Sequence, residues 1–153
     1  MNPQESRIKA TAALFLTISL FLIRGAHAAP PPAGACTIVG TPGPDLLFGT
    51  PRHDVICGLG GKDVLDGNDG NDVLKGGPGV DLLNGGNGND VLFGGAGNDK
   101  LQGDHGRDRI YGGAGNDTFF TWDGFADLLD GGLGTDKAFK DKLDRVYAVE
   151  LSG

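Results

Sequence analysis

The sequence has few of the side chains that enzymes use as nucleophiles. Beyond residue 28 its only serine is Ser152, next to the C-terminus, which comes close to excluding a serine nucleophile. The HExxH motif of zinc proteases does not occur. Glutamate is scarce too, because Glu5 and Glu150 are the only two beside 18 aspartates. Aspartates close to glycines indicate turns and cation ligation rather than helix surfaces, so we expect a non-catalytic protein.

Long apolar runs are also missing, except at the N-terminus. Residues 10–23 are apolar apart from two threonines and a serine, Arg7 and Lys9 precede them, and Ala26-His27-Ala28 is a small-x-small cleavage site. This run is short for the roughly 20 residues that span a bilayer. It predicts a signal peptide over residues 1–28 and a secreted, extracellular protein with no membrane insertion after its removal.

Cleavage after residue 28 would leave 10 basic and 19 acidic residues, a net charge of −9. That sign disfavours nucleic acid and anionic membrane surfaces as partners. Residues 29–39, which include three successive prolines, are expected to form a linker and an N-terminal cap.

A nine-residue repeat begins at Gly40 and continues in one frame through nine units. Every unit has glycine at its first position and an apolar residue at its eighth. The sixth position is always aspartate: Asp45, Asp54, Asp63, Asp72, Asp81, Asp90, Asp99, Asp108 and Asp117. We expect six residues of each unit to turn and three to extend, with the eighth side chain pointing inward. Two units per coil would stack positions 18 residues apart in two parallel sheets.

This stacking predicts that carboxylates repel one another along each edge of the roll and that cations between the turns relieve the repulsion. Asp81, Asp99 and Asp117 would lie above one another at the parallel-strand spacing of about 4.8 Å. Two carboxylates at that distance repel by roughly 3 kcal/mol at an effective dielectric near 20. A Ca²⁺ ion between the turns reverses the sign, because it takes six to eight oxygens from carboxylates and main-chain carbonyls. Magnesium fits less well, since it demands stricter octahedral geometry.

The units GGPGVDLLN, GGNGNDVLF, GGAGNDKLQ and GGAGNDTFF resemble the hemolysin-type calcium-binding nonapeptide of RTX proteins. The resemblance implies an all-β fold, a parallel β-roll or right-handed β-helix-like solenoid with short caps at both ends. It also implies a calcium-binding protein that holds several Ca²⁺ ions per chain, and the N-terminal signal makes it a secreted one. The roll is expected over residues 40–139 and a C-terminal cap over 140–153.

The resemblance assigns the metal ligands to sixth-position aspartates and to glycines of the turns. The expected aspartate ligands are Asp63, Asp72, Asp81, Asp90, Asp99, Asp108, Asp117 and Asp136. The expected glycine carbonyl ligands are Gly77, Gly79, Gly86, Gly88, Gly95, Gly97, Gly113 and Gly115. The pairs Asp81–Asp99 and Asp99–Asp117 should be the best sites, because all their units begin with two glycines.

Departures from the repeat predict weaker sites. Asn68 and Asp104 replace second-position glycines but tolerate the left-handed region, so Asp72–Asp90 and Asp90–Asp108 remain plausible pairs. Arg52 replaces a fourth-position glycine and adds positive charge. We therefore expect Asp45 and Asp54 to be weak or unoccupied sites.

Both ends of the repeat leave alternatives open. The frame slips by one residue at Thr121 and resumes with Asp127 and Asp136 at sixth positions. The tail after residue 140 fits helical spacing and strand alternation equally.

Export favours a disulfide between Cys36 and Cys57. In the register of the roll, however, they would lie about 10 Å apart, beyond the limit of about 7 Å between Cα atoms. A bridge requires the cap to leave that register; free or intermolecular thiols are the alternative.

The outward-facing seventh position leaves room for a second function. It is apolar in six units and polar at Lys100, Arg109 and Thr118. Exposed β-sheet propensity accounts for this pattern, but a face for self-association or for a cell-surface partner is the sharper interpretation. An adhesin or an ice- or carbohydrate-binding surface is therefore the alternative function, although no regular column of threonine or aromatic residues supports it.

Overall fold

A computed structural model describes residues 34–149 of the chain, which form thirteen short strands. They are β1 (Ile38–Val39), β2 (Leu46–Phe48), β3 (Val55–Cys57), β4 (Val64–Asp66), β5 (Val73–Pro78), β6 (Leu82–Asn87), β7 (Val91–Ala96), β8 (Lys100–His105), β9 (Arg109–Ala114), β10 (Thr118–Thr121), β11 (Leu128–Leu133), β12 (Lys137–Lys140) and β13 (Arg145–Tyr147). No helix in this part of the chain is long and apolar enough to cross a bilayer. The predicted signal peptide, linker residues 29–33 and tail residues 150–153 lie outside the described residues.

Successive strands alternate between two parallel sheets. The odd-numbered strands form a seven-stranded sheet in the order β1-β3-β5-β7-β9-β11-β13, and the even-numbered strands form a six-stranded sheet. Neighbours in the repeat region pair at a spacing of 18 residues, as Val91 does with Arg109. The predicted all-β parallel β-roll, with two repeat units in each coil, is confirmed.

Several strands are longer than the three residues predicted for each unit. β5, β6, β7, β8, β9 and β11 each contain six residues, because the first positions of the following unit continue the sheet. Gly95 pairs with Gly77 on one side and with Gly113 on the other. The tight part of each turn is therefore shorter than the sequence predicts.

The core is one side chain wide. Leu47, at the eighth position of the first unit, is only partly buried, and Ala138 is 8% exposed. The other eighth-position residues are fully buried between the sheets: Ile56, Leu65, Leu74, Leu83, Leu92, Leu101, Ile110, Phe119 and, beyond the frame slip, Leu129. A fully buried aliphatic side chain contributes about 1.5–3 kcal/mol. Because each turn has only one such residue, the stability of the roll depends strongly on what happens at its edges.

The turns need unusual backbone angles. Gly97 has a φ of 135°, and a Cβ atom there would collide with the carbonyl oxygen of Gly79 in the preceding turn. Asn68 and Asp104 have φ of 67° and 60°, so the prediction that they tolerate the left-handed region is confirmed. Leu59 shares this conformation, with a φ of 79°.

A disulfide joins Cys36 to Cys57, with 5.9 Å between their Cα atoms. The 18-residue register begins at β1, where Ile38 pairs with Ile56. Cys36 lies before that strand and is bonded to a residue 21 positions away, so it has left the register. Of the alternatives predicted for the two cysteines, the structure contains the bridge, with the cap out of register as a bridge requires; the distance of about 10 Å applies only to a cap that keeps the register.

Near the C-terminus, two changes in turn length compensate for each other. The turn from Thr121 to Asp127 has one residue more than the standard turn. The next turn on the same edge, which ends at Asp144, has one residue fewer. β13 then pairs with β11, placing Val146 beside Leu129. Of the two alternatives for the tail, the structure contains the strand.

Candidate metal centres along the two edges

The sixth-position aspartates stack into two columns, one at each edge of the roll. The first aspartate ladder consists of Asp45, Asp63, Asp81, Asp99, Asp117 and Asp136. The second consists of Asp54, Asp72, Asp90, Asp108, Asp127 and Asp144. In both, the backbone N–H of each aspartate donates to Oδ1 of the aspartate in the next turn, at 2.7–3.1 Å. The repeat thus brings every predicted aspartate ligand into one of two continuous rows.

The second carboxylate oxygen defines the candidate sites. Oδ2 is buried and has no hydrogen-bond partner in nine ladder members: Asp63, Asp72, Asp81, Asp90, Asp99, Asp108, Asp117, Asp127 and Asp136. Leaving one buried polar atom unpaired costs about 1–3 kcal/mol, and more when the group is charged. Positive charge placed along the two rows would stabilise the ionised form of these nine carboxylates.

Carbonyl oxygens converge on the same places. A Cβ atom built on Gly94 would lie 2.5 Å from Oδ2 of Asp99 and 2.7 Å from the carbonyl oxygen of Gly112. Gly85 has the same surroundings, with Asp90 Oδ2 at 2.5 Å and the Gly103 oxygen at 2.7 Å. The first-position glycines thus leave a cradle that a side chain would fill. Carboxylate and carbonyl oxygens in one cradle are the donor set of Ca²⁺.

The predicted glycine ligands also lie in stacked turns. The carbonyl oxygens of Gly77 and Gly79 lie against Gly95 and Gly97 of the next turn, and those two lie against Gly113 and Gly115. On the other edge, Gly86 and Gly88 lie against the carbonyl oxygens of Asn68 and Gly70. Sequence reasoning missed the carbonyls of first-position glycines such as Gly103 and Gly112, which lie nearest to the cradles. Their strict nine-residue spacing is the signal that could have identified them.

Burial within the ladders makes the ionised form of several aspartates less favourable and raises their pKa values. Burial raises the pKa of Asp90 and of Asp99 to about 6, and repulsion from the stacked aspartates adds to this effect. Burial likewise raises the pKa of Asp108 to about 8 and that of Asp127 to about 7, again with neighbouring carboxylates contributing. A divalent cation in the cradles would counteract these shifts in pKa, because its charge favours the ionised carboxylates.

Threonines occupy the place of the cation at the start of each ladder. Oδ2 of Asp45 accepts hydrogen bonds from the N–H and hydroxyl of Thr41, at 2.6 and 3.0 Å. Oδ2 of Asp54 likewise accepts hydrogen bonds from the N–H and the hydroxyl of Thr50, both at 2.7 Å. Burial alone would raise the pKa of Asp54, but the hydrogen bonds from Thr50 and Thr37, together with the charge of His53, outweigh burial and lower the pKa. The weakness predicted for these two sites stays a prediction, and Thr41 and Thr50 supply a more direct reason for it than Arg52.

The second ladder ends in the same way. Oδ2 of Asp144 accepts the hydroxyl hydrogen of Thr121 at 2.9 Å and the N–H of Asp141 at 3.1 Å. Asp127 and Asp144 are ladder members that the predicted ligand set omits. The signal for Asp144 was its position 17 residues after Asp127, one short of the usual spacing.

Comparison with protein families identifies the repeats. A family model for the RTX calcium-binding nonapeptide repeat (4 copies) matches at residues 39–74, 58–92, 66–101, 84–119, 93–126 and 106–138. Searches of curated proteins and of solved structures returned no significant match. The matched segments together run from residue 39 to 138 and contain both ladders except for Asp144. The chain therefore belongs to the family of RTX calcium-binding nonapeptide repeat proteins.

Proposed function

We propose that the protein is a secreted, non-catalytic calcium-binding protein whose roll folds as Ca²⁺ ions enter the two aspartate ladders. The observation that carries this proposal is the row of buried Oδ2 atoms without partners. Eight of the nine atoms lie beside a first-position glycine, as Asp99 Oδ2 lies beside Gly94; Asp127 is the exception, because Trp122 begins its unit. A bound Ca²⁺ ion supplies two positive charges and the coordination that these oxygens lack.

Folding and calcium binding would then be one event. The core is one residue wide, so hydrophobic burial leaves little to offset repulsion along two rows of carboxylates. Without calcium, an acidic and glycine-rich chain of this kind favours the disordered state. Because the cradles exist only when the turns are stacked, the free energy of calcium binding becomes free energy of folding.

Secretion is consistent with folding that depends on calcium binding. The N-terminal run with its small-x-small site supports export, and low cytosolic calcium would keep the chain unfolded until it reaches a calcium-rich exterior. The disulfide between Cys36 and Cys57 is consistent with an oxidising compartment. Mass spectrometry of protein recovered outside the cell tests this part, and the mature chain should begin at residue 29.

The central experiment follows far-UV circular dichroism as calcium is added to protein stripped with EDTA. The spectrum should change from coil to strand, and EDTA should reverse the change. Sodium chloride at matched ionic strength is the control, since screening alone also weakens repulsion between carboxylates. Magnesium is the second control and should be much less effective. A strand spectrum that neither calcium nor EDTA changes would refute the proposal.

One feature favours a second function, binding to a carbohydrate or to a cell surface. The rings of Phe120 and Phe139 stack on the outer face of the six-stranded sheet with centroids 5.4 Å apart. Trp122, next to them in sequence, is 82% exposed. An exposed aromatic ring can pack its face against the apolar face of a sugar ring. A glycan array without signal in the presence of calcium would dismiss this function.

A further inference from the structure

The lengthened turn near the C-terminus brings a third carboxylate to the second ladder. Asp123 belongs to the extra-long turn from Thr121 to Asp127, whereas Asp108 and Asp127 are ladder members in successive coils. One oxygen from each of these three carboxylates lies within 4.8 Å of the others. Two oxygens bound to the same Ca²⁺ ion are at most about 5 Å apart, so a single ion can reach all three.

In each of the three carboxylates, one oxygen accepts a hydrogen bond and the other has no hydrogen-bond partner. Oδ1 of Asp108 accepts the N–H of Asp90, Oδ1 of Asp127 accepts the N–H of Asp108, and both distances are 2.8 Å. Oδ1 of Asp123 accepts the N–H of Phe125, also at 2.8 Å. Oδ2 is buried without a hydrogen-bond partner in all three residues. Asp108 and Asp127 are each only 2% exposed, so water does not satisfy these oxygens from outside.

The following turn holds the lengthened turn in place. Gly124 donates its N–H to Oδ2 of Asp141 at 2.9 Å, and Asp127 donates its own to Oδ1 of Asp144 at 3.1 Å. Oδ2 of Asp144 is occupied by Thr121 and Asp141. The position of Asp123 is therefore fixed by hydrogen bonds that do not use the three free oxygens.

We propose that Asp108, Asp123 and Asp127 form a three-carboxylate calcium site that binds Ca²⁺ more tightly than the other sites of the ladders. The proposal rests on the proposed function, because it adds a ligand to one of the ladder positions. Elsewhere each pair of coils supplies two stacked aspartates, and calcium affinity rises with the number of charged ligands. Filling this site would lock the lengthened turn against the coil before it.

Trp122 makes this site observable on its own. It is the only tryptophan in the chain and is adjacent to Asp123, so their Cα atoms are about 3.8 Å apart. Tb³⁺ binds oxygen-rich calcium sites and emits when a nearby excited tryptophan transfers energy to it. Exciting tryptophan selectively in the purified protein therefore reports terbium at this site, while calcium competition gives its relative affinity.

The test compares Asp123→Asn with the matched control Asp130→Asn. Asp130 lies on the outer face of the seven-stranded sheet between Tyr111 and Tyr147, outside both ladders, and its substitution makes the same charge change. Asp123→Asn keeps an oxygen to accept the Phe125 N–H, so the turn should persist. We expect about tenfold or greater weakening of tryptophan-sensitised terbium binding in Asp123→Asn and none in Asp130→Asn. In the unsubstituted protein this signal should saturate at lower terbium than total ion uptake does.

The outcomes separate this inference from the proposed function. If Asp123→Asn binds terbium at the tryptophan-reported site as tightly as the control does, the three-carboxylate site is wrong. Calcium-driven folding of both variants would then leave the proposed function standing. If the unsubstituted protein neither folds with calcium nor takes up terbium, the proposed function itself fails.

Discussion

Replacing Asp99 by asparagine should have opposite effects with and without calcium. Asp99 is 1% exposed and stands in the middle of the first ladder, where its Oδ1 accepts the Asp81 N–H and its own N–H donates to Asp117, both at 2.8 Å. Its charge repels each of these two neighbours by about 3 kcal/mol at the parallel-strand spacing. Asparagine removes both repulsions and keeps an oxygen to accept the amide hydrogen.

Without calcium the variant should therefore be the more stable protein. The relief of up to about 3 kcal/mol per neighbour exceeds the loss from a charged to a neutral hydrogen-bond acceptor, about 1 kcal/mol. With saturating calcium the sign reverses, because the sites between Asp81 and Asp99 and between Asp99 and Asp117 each lose a ligand charge. Loss of a mere outer-shell partner costs tenfold to hundredfold in metal affinity, about 1.4–2.7 kcal/mol, so each site should lose at least this much.

Urea unfolding followed by circular dichroism, in EDTA and in excess calcium, measures both effects. Sucrose in all samples brings the calcium-free transition into range if the roll is too unstable in EDTA alone. Asp130→Asn is the control for net charge and should change stability by no more than about 0.5 kcal/mol in either condition. If Asp99→Asn shifts the free energy of unfolding in the same direction in both conditions, the electrostatic account of the ladders is wrong.

Three further predictions concern the turns, the capped ends and pH. Gly97→Ala should destabilise the calcium-bound roll by more than about 1 kcal/mol in urea unfolding, because φ is 135° and its Cβ would meet the Gly79 oxygen. Gly43→Ala should be neutral, because its Cβ would meet only the Thr41 hydroxyl oxygen, at an ordinary contact distance of 3.8 Å. Thr50→Val should cost about 1–2 kcal/mol by the same assay, equally with and without calcium, since the hydroxyl that it removes binds Asp54 in place of a cation. In EDTA the roll should lose stability as pH rises from about 4 towards 8. Folding raises the pKa of Asp108 to about 8, so the folded chain holds more protons than the unfolded chain across that window; circular dichroism that showed the opposite trend would contradict this.

The strictly periodic part of the fold could be predicted from the sequence alone. Glycine, aspartate and an apolar residue recur at fixed positions of the nine-residue unit, and stacking units of equal length brings like positions together. The burial of Leu92, the stacking of Asp81 on Asp99 and the left-handed conformation of Asn68 all follow from position within the unit.

Features that break the period could not be predicted in this way. Asp123, which belongs to the turn that is one residue longer than the standard turn, lies close to Asp108 and Asp127, and the nine-residue frame does not specify the path of a turn with an extra residue. The hydroxyl of Thr50 binds Asp54 through a local rotamer choice that spacing does not specify. Cys36 reaches Cys57 because the register starts two residues later, at β1.

Counting calcium ions per chain while following folding tests the central claim most directly. Equilibrium dialysis against calcium, with circular dichroism on the same samples, relates ion uptake to strand formation. The account predicts at least one ion for each of the pairs Asp81–Asp99, Asp99–Asp117, Asp72–Asp90 and Asp90–Asp108, taken up together with folding. A chain that is fully folded in EDTA, or that folds while binding fewer ions than these pairs, would contradict it.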